Sequence, residues 1–483
     1  MKTSAPSQRR NRDNKTEIVD RLENPGPREL ATIMNLSVAS GERVIFGLNA
    51  DVAKAHRRVK IREEDWGVLA CKTASSSDVV WFNKTGTFGV ASAAYWWSRL
   101  MGLVGRFAWK AMLNDWFFAL IFVDDIHMAS GGNDRWLTLW RFIALLEMVG
   151  LPFSFHKFRG GFQMDFVGFW IDYARFEIGM SERRVAWLVS FVEELIANNW
   201  LIHMRRFQEF HGRLGFAAQV LPWIRPMLAP GYSWISAAGR TATLKMPQLV
   251  ASTCIFIRDK FSMGYRKLPC GVNEVSLGEI FRTDAKCEKH RIVLGGWLLN
   301  EKGDSSMAPW FSLSLSAKEV PWLFREDGET SWASTSAELL ASLVAIKVLP
   351  FEKFKSGLHG AHILHCGGGT DNKAAGSLAA RKLSTKLPVM IVLMEYLSQC
   401  ESMNIRCQLN WRPRDTNVEA DDLTNEKFER FNLNNRIDCR WQDFRFPILE
   451  KLVGFTQSFV KIRAEHQLER PSKEAKFEKS KWD

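Results

Sequence analysis

Two acids stand side by side where a tight turn would ordinarily carry a glycine. Residues 117–130 read FFALIFVDDIHMAS, two short apolar runs of strand length that meet at Asp124 and Asp125. The pattern predicts a β-hairpin with carboxylates at its tip. Two-residue hairpin turns need positive φ and favour glycine, so a turn built of acids implies that function outweighs local comfort there. A second apolar run, RVIFGLNAD (43–51), also ends on an acid, Asp51. It reads as a buried strand delivering a carboxylate to its end.

Carboxylates on strand ends suit phosphoryl transfer. That chemistry needs two divalent ions roughly 3.5–4 Å apart to clamp the attacking and leaving oxygens. Magnesium prefers oxygen ligands on rigid supports. The charge balance points the same way: 65 Lys+Arg against 53 Asp+Glu gives a net charge of +12, which favours a polyanionic partner. The eight cysteines are scattered without a CxxC pair, which argues against a zinc site or disulfide frame and for an intracellular protein. The N-terminus lacks an apolar signal core. The most apolar stretch, WFFALIFV (116–123), falls well short of the roughly 20 residues that span a membrane. The 20 tryptophans against 5 tyrosines serve either as core or as base-stacking rings.

At roughly 150 residues per domain, 483 residues predict about three domains. Residues 1–30, polar and broken by Pro25 and Pro27, read as a disordered basic tail. In HRRVKIR (56–62) basic residues alternate, which suits either a strand with a basic face or a solvated edge. Helices are expected at 91–112, 135–149 and 182–199, and a strand at DFVGFWID (165–172). Residues 203–265 look mainly helical. From about 278 the pattern changes to three strands followed by alternating helix and strand, an α/β unit of about 150 residues. It offers Asp284 on the first strand, Glu338 on the first helix, Asp371 after a later strand and Asp421 on the last helix. The segment after 450 reads as a charged, solvated tail.

The order of these pieces resembles the reverse transcriptase–RNase H portion of a retroelement (retrotransposon-type) polyprotein. ADVAKAHRRV resembles the first palm motif, with Asp51 as metal ligand. GTFGVASA (86–93), with Phe88 and Gly89, resembles the motif whose backbone lies near template and nucleotide. FVDD (122–125) resembles the hairpin motif, Phe122 standing for its usual tyrosine. GLPFSFHK (150–157) places Lys157 as the basic residue near the triphosphate. FVGF (166–169), with Gly168, resembles the primer-grip hairpin, and residues 211–230 resemble the thumb-to-connection segment. TDAK, SAELLA, GTDN and NVEADD resemble the four-acid set of RNase H, Asp422 being an adjacent alternative to Asp421 that spacing does not favour.

The resemblance implies an α+β polymerase palm with partial fingers (31–200) and a helical thumb/connection (201–270). An α/β RNase H-like domain (271–450) and the tail (451–483) follow. It implies an RNA-directed DNA polymerase (a nucleotidyltransferase) joined to an endonuclease that cuts the RNA of RNA–DNA hybrids. Two magnesium ions would sit in each site, with manganese as the alternative. An RNA template, a DNA primer, the hybrid and deoxynucleoside triphosphates are the implied partners, in the cytoplasm or nucleus and without a membrane. His56 stands where the family carries an aromatic gate against ribonucleotides, and Arg57 and Arg58 beside it are candidate phosphate contacts. Trp411 stands where a mobile-loop histidine is expected. The long interval from Asp284 to Glu338 implies an insertion around 301–330. Only 50 residues precede Asp51, fewer than family fingers need, so an N-terminally truncated polymerase is expected. The competing reading is a degenerate or domesticated relic that binds nucleic acid without polymerising and keeps at most its RNase H.

Overall fold

The computed structural model describes residues 22–468 apart from 43, 88–90, 114, 240–241, 272, 300–302 and 355–361. It divides into two compact units, Met1–Ser181 with Lys267–Gly271, and Glu182–Arg266 with Val272–Asp483.

In the first unit a helix α1 (Pro27–Ser40) precedes strand β1 (Ile45–Asp51). Helix α2 (Ala91–Lys110) leads to β2 (Phe117–Phe122), β3 (Asp125–Gly131) and helix α3 (Arg135–Met148). A short strand β4 (Arg159–Gly161) completes an antiparallel sheet of order β2-β3-β1-β4. Trp97, Met101 and Ala108 of α2 and Leu139, Phe142, Ile143 and Leu146 of α3 recur at helical spacing. They cover one face of this sheet, packing against Ala50, Ile126 and Met128. A second antiparallel sheet is formed by β5 (Gln163–Phe166), β6 (Phe169–Asp172), β7 (Glu177–Met180) and β8 (Lys267–Pro269), in the order β8-β7-β6-β5. Tyr173, at the end of β6, lies so close to Gly47 of β1 that a Cβ there would come within 2.8 Å of its ring.

Several expectations need correction here. The proposed tail already contains the start of α1, which begins on Pro27 and buries Leu30, Ile33 and Met34; proline suits a first helical turn because it gives up no hydrogen bond. Residues 1–21 lie outside the described residues. HRRVKIR is not a strand. Lys54 adopts a left-handed φ of 59° and Ala55–Arg58 forms a 3₁₀ turn, because the chain must bend immediately after Asp51. DFVGFWID is two strands, folded back at Val167 and Gly168, both at positive φ (50° and 87°).

In the second unit, helices α4 (Glu182–Ala197), α5 (Met204–Ala217), α6 (Ala229–Ala238) and α7 (Gln248–Ser262) pack through aromatic rings. Phe191 and Phe210 stack at 4.5 Å. A five-stranded sheet follows, built from β9 (Asn273–Glu288), β10 (Arg291–Leu298), β11 (Trp310–Leu315), β12 (His362–Thr370) and β13 (Ile405–Trp411). Its order is β11-β10-β9-β12-β13, antiparallel from β11 to β9 and parallel from β9 to β13. Helices α8 (Ser334–Val348), α9 (Lys373–Arg381), α10 (Val389–Ser402) and α11 (Val418–Thr424) accompany it. Helix α8 is apolar almost all round and buries eleven of its residues, as a helix enclosed on both sides must.

The interval 301–330 contains β11 and short 3₁₀ turns rather than an open insertion. The charged segment after 450 is also ordered as far as 468. Helix α12 (Pro447–Leu452) is capped at its N-terminus by the buried Glu395, which accepts from the Ile448 and Leu449 amides at 2.7 and 3.0 Å. Helix α13 (Thr456–Leu468) buries Phe459 completely, and Trp234 of α6 donates its indole N–H to His466 at 3.2 Å. Residues 469–483 lie outside the described residues.

Candidate active sites

The first candidate site lies at one end of the β1–β3 ladder. Asp51, the last residue of β1, pairs directly with Asp125, the first residue of β3. The two-residue turn is Val123–Asp124 rather than Asp124–Asp125, since Phe122 pairs with Asp125. Val123 holds a φ of 56°, a region that costs a β-branched residue on the order of 1–3 kcal/mol. Tertiary bonds supply the compensation. The buried Trp97 donates its indole N–H to the Val123 carbonyl at 2.7 Å, and the Val52 amide donates to the Asp124 carbonyl at 2.9 Å.

Lys157 closes the site from a 3₁₀ turn (Phe155–Lys157), its ammonium 2.9 and 3.0 Å from the two Asp51 oxygens. Burial, then the charges of Asp124 and Asp51, push the Asp125 carboxyl up against the opposing pull of Lys157. Three carboxylates facing one ammonium leave a surplus of negative charge on oxygen donors, which fits a hard divalent ion. The three do not form a tight cluster, however. Successive residues at a strand start splay to opposite faces, and Lys157 holds the Asp51 carboxylate.

Beneath these acids runs a buried polar chain that the sequence did not reveal. His127, fully buried on β3, lies 2.6 Å through Nδ1 from Asn49 Oδ1 and 2.6 Å through Nε2 from the Tyr173 hydroxyl. Asn49 in turn donates to the Asp165 carbonyl at 2.8 Å. Because Asn49 Oδ1 can only accept, Nδ1 carries the proton and Nε2 accepts from Tyr173. Burial pushes the imidazole down to about 3. Below pH 6.5 the unfolded chain therefore takes up a proton that the folded chain refuses, and stability falls with pH. The expected loss is about 2 kcal/mol between pH 7 and pH 5, measurable as lower amide protection factors along β3 at pH 5. The slope should flatten in His127→Asn.

Of the remaining first-unit candidates, His56 lies in the 3₁₀ turn with its ring 6.5 Å from that of Trp97. Arg57 and Arg58 are exposed, and Arg58 donates to the Ala53 carbonyl. Phe122 is half-buried at the hairpin, and Gly168 occupies the β5–β6 turn. Phe88 and Gly89 lie outside the described residues.

In the second unit Asp284, Glu338 and Asp371 present ligand oxygens within 4.8 Å of one another, the only such group of three among the described residues. Each arrives on a different element: mid-strand on β9, the second turn of α8, and the loop after β12. Asp284 and Glu338 are buried at 3% and 4% exposure. The Thr424 hydroxyl donates to Asp284 at 2.6 Å, the Thr370 hydroxyl donates to Glu338 at 3.2 Å, and the Trp411 indole donates to the Asp371 carbonyl at 3.0 Å. Asp421, on α11, faces a different set of partners. Its Oδ1 accepts from Arg414 at 2.7 Å and its Oδ2 from Asn425 at 2.8 Å. Asp422 points elsewhere and pairs with Arg430 at 3.0 Å.

Burial pushes Asp284 up to about 6, with the charges of Asp371 and Asp421 adding to it against the Thr424 hydrogen bond. Burial and the charges of Asp284 and Asp371 push Glu338 well up. Three crowded oxygen donors that cannot all ionise unaided are the donor set a hard divalent cation relieves. Without such an ion, the folded chain holds a proton on Asp284 that the unfolded chain gives up above pH 3.8. Stability is therefore present at low pH and lost as pH rises through about 6. The expected loss is about 3 kcal/mol over the whole range and about 1.4 kcal/mol between pH 5 and pH 8, visible in EDTA as lower amide protection factors along β9 at pH 8 than at pH 5. Magnesium should reverse the order, and Asp284→Asn should flatten the slope, leaving the share that belongs to Glu338.

Sequence reasoning missed Arg414, Thr424 and Asn425. The signal was their spacing around Asp421: Thr424 and Asn425 stand three and four residues on along α11, the positions that share its face.

Among the described residues no helix is long and apolar enough to cross a membrane. No family model matches the chain, and no curated protein matches it. Among the solved structures similar to it are two foamy viral proteins. One is a foamy viral protease-reverse transcriptase in complex with RNA/DNA hybrid, 13% identical with a TM-score of 0.41, covering 80% of this chain and 46% of that one. The other is a foamy viral protease-reverse transcriptase dRH in complex with double-stranded DNA, 14% identical with a TM-score of 0.41, covering 83% and 62%. The chain thus spans about half to three-fifths of the length of those proteins.

Proposed function

We propose that the chain is an RNA-directed DNA polymerase joined to a ribonuclease H, of the retrotransposon type. In this reading residues 31–200 carry the palm with partial fingers, residues 201–270 serve as thumb and connection, and residues 271–450, with the five-stranded sheet, are the RNase H-like domain. The observation that supports it most is the meeting of Asp284, Glu338 and Asp371 within 4.8 Å from three separate elements. In the nuclease site these acids and Asp421 hold the divalent ions, magnesium or manganese. Bound there, the ions supply an activated water and charge neutralisation at the scissile phosphate. Thr424 and Thr370 fix the Asp284 and Glu338 carboxyls, and Asn425 orients Asp421. In the polymerase site Asp51, Asp124 and Asp125 are the corresponding carboxylates, and Lys157 releases Asp51 to meet the incoming triphosphate. His56 borders the sugar position, with Phe88, Gly89 and Phe122 beside template and nucleotide. Arg57 and Arg58 approach phosphates, and the Gly168 turn approaches the primer.

The test is a primer-extension assay on an RNA template run beside cleavage of an RNA–DNA hybrid, both with magnesium. Both activities are expected, and neither activity in pure folded protein would overturn the reading in favour of nucleic-acid binding alone. A second reading, an active nuclease beside a silent polymerase, is favoured by one observation: the Asp51 carboxylate is held by Lys157 and the first-unit acids form no tight triad. Cleavage without extension would select it.

A further inference from the structure

Arg414 has no part in the reading above, yet it is the cation nearest the nuclease acids. It begins a 3₁₀ turn (Arg414–Thr416) after Pro413. Its Nη2 and Nε lie 2.7 and 3.2 Å from Asp421 Oδ1, and Nε lies 4.0 Å from Asp371 Oδ2. We propose that Arg414 is a ligand for the phosphodiester backbone of the substrate at the nuclease site, and that before ions and substrate arrive it serves as the site's own counter-charge.

Three observations carry this inference, which rests on the nuclease reading. First, the pairing is one-sided. Two N–H groups converge on one Asp421 oxygen, whereas a committed arginine–carboxylate pair engages both oxygens in a fork. The second oxygen is already taken by Asn425, so Asp421 keeps its orientation without Arg414. Second, the Arg414 side chain is 74% exposed while Asp371 and Asp421 are 19% and 27% exposed. An ion pair this exposed contributes little to stability and opens readily. Third, a divalent ion held by Asp421 would compete for the oxygen that Arg414 occupies. The freed guanidinium would remain at the rim of the acid cluster, on the turn that follows the half-exposed Trp411, whose ring has the Lys373 ammonium 5.7 Å away. A planar fork of N–H donors at that rim matches the non-bridging oxygens of a phosphodiester.

The competition predicts effects of opposite sign from one substitution. In the full chain, Arg414→Ala should bind manganese about 3- to 10-fold more tightly, measured by calorimetry without nucleic acid. It should bind an RNA–DNA hybrid about 10-fold more weakly in calcium at 0.1 M salt. The slope of log affinity against log salt should drop by about one. Arg414→Lys should recover most of the salt slope and only part of the affinity, because it keeps the charge without the fork. Arg440→Ala, which removes an equal charge paired with Asp443 away from the site, should change none of these. If Arg414→Ala weakens manganese and hybrid binding together, Arg414 is merely structural and the proposal is wrong. Unchanged hybrid affinity with an unchanged salt slope overturns it as well. Because both readouts are binding, they stand apart from cleavage: a wild-type chain that cuts nothing would sink the nuclease reading and leave the binding result to judge Arg414.

Discussion

Asp284→Asn combined with Asp371→Asn is expected to reduce hybrid cleavage by on the order of 10³-fold while leaving the metal-free chain more stable above pH 6. The loss follows from the several kcal/mol that a bound divalent ion contributes to a phosphoryl-transfer transition state. Two of the three tightly grouped oxygen donors lose their charge in this variant. The gain follows from the same crowding: burial holds Asp284 up at about 6, and an amide removes the cost of ionising it. Asparagine keeps the acceptor for the Thr424 hydroxyl and adds no volume. Cleavage kinetics with magnesium and melting curves in EDTA at pH 8 check both halves. Cleavage that persists in the double variant places the nuclease site elsewhere. A variant that is inactive and also unstable would mean the acids act as structural members.

The second large effect is expected in the first unit. Asp124→Ala should lower primer extension by roughly 10²–10³-fold, the range seen when one preorganised electrostatic contact is removed from an active site. The structural service of Asp124 comes from its carbonyl, which accepts the Val52 amide, and alanine retains that carbonyl. The turn should therefore keep its shape and the chain its melting temperature. Hybrid cleavage, which the proposed function assigns to acids of the other unit, should be unchanged in the same protein. Extension that survives this substitution rules out Asp124 as a metal ligand.

Much of the second unit was legible in advance because its acids sit on strong local patterns. Asp284 lies on a mixed strand among Arg282, Thr283 and Lys286, Glu338 lies inside an almost wholly apolar helix, and Asp371 follows a strand that ends in three glycines and a threonine. Taken singly, each would pass for a helix cap or a solvated acid; their order along strand, helix and strand is what set them apart. Less was legible where tertiary bonds decide the backbone. No local preference puts Val123 or Val167 at positive φ. The bend at Lys54 overrides the alternation in HRRVKIR. Helix α13 escaped notice because its apolar and charged residues do not separate onto faces, so Phe459 alone gave no stripe to read. Arg414 was hidden for another reason: an arginine in a polar loop reads as surface, and only the fold brings it to Asp421.

The Val123–Asp124 turn has a consequence for how the protein comes into being. A hairpin that forms early does so because its turn favours the bend, and this turn disfavours it. It is held by Trp97 from α2 and by Val52 beyond β1, partners that must already be docked. The strands flanking the acids are therefore expected to close late in the assembly of the first unit, which low φ-values for substitutions in β2 and β3 would show. A chain still emerging from the ribosome would carry its three first-unit acids apart, so the metal and template roles proposed for them would not yet be open to it. Competence would arrive together with the finished core, as one cooperative event.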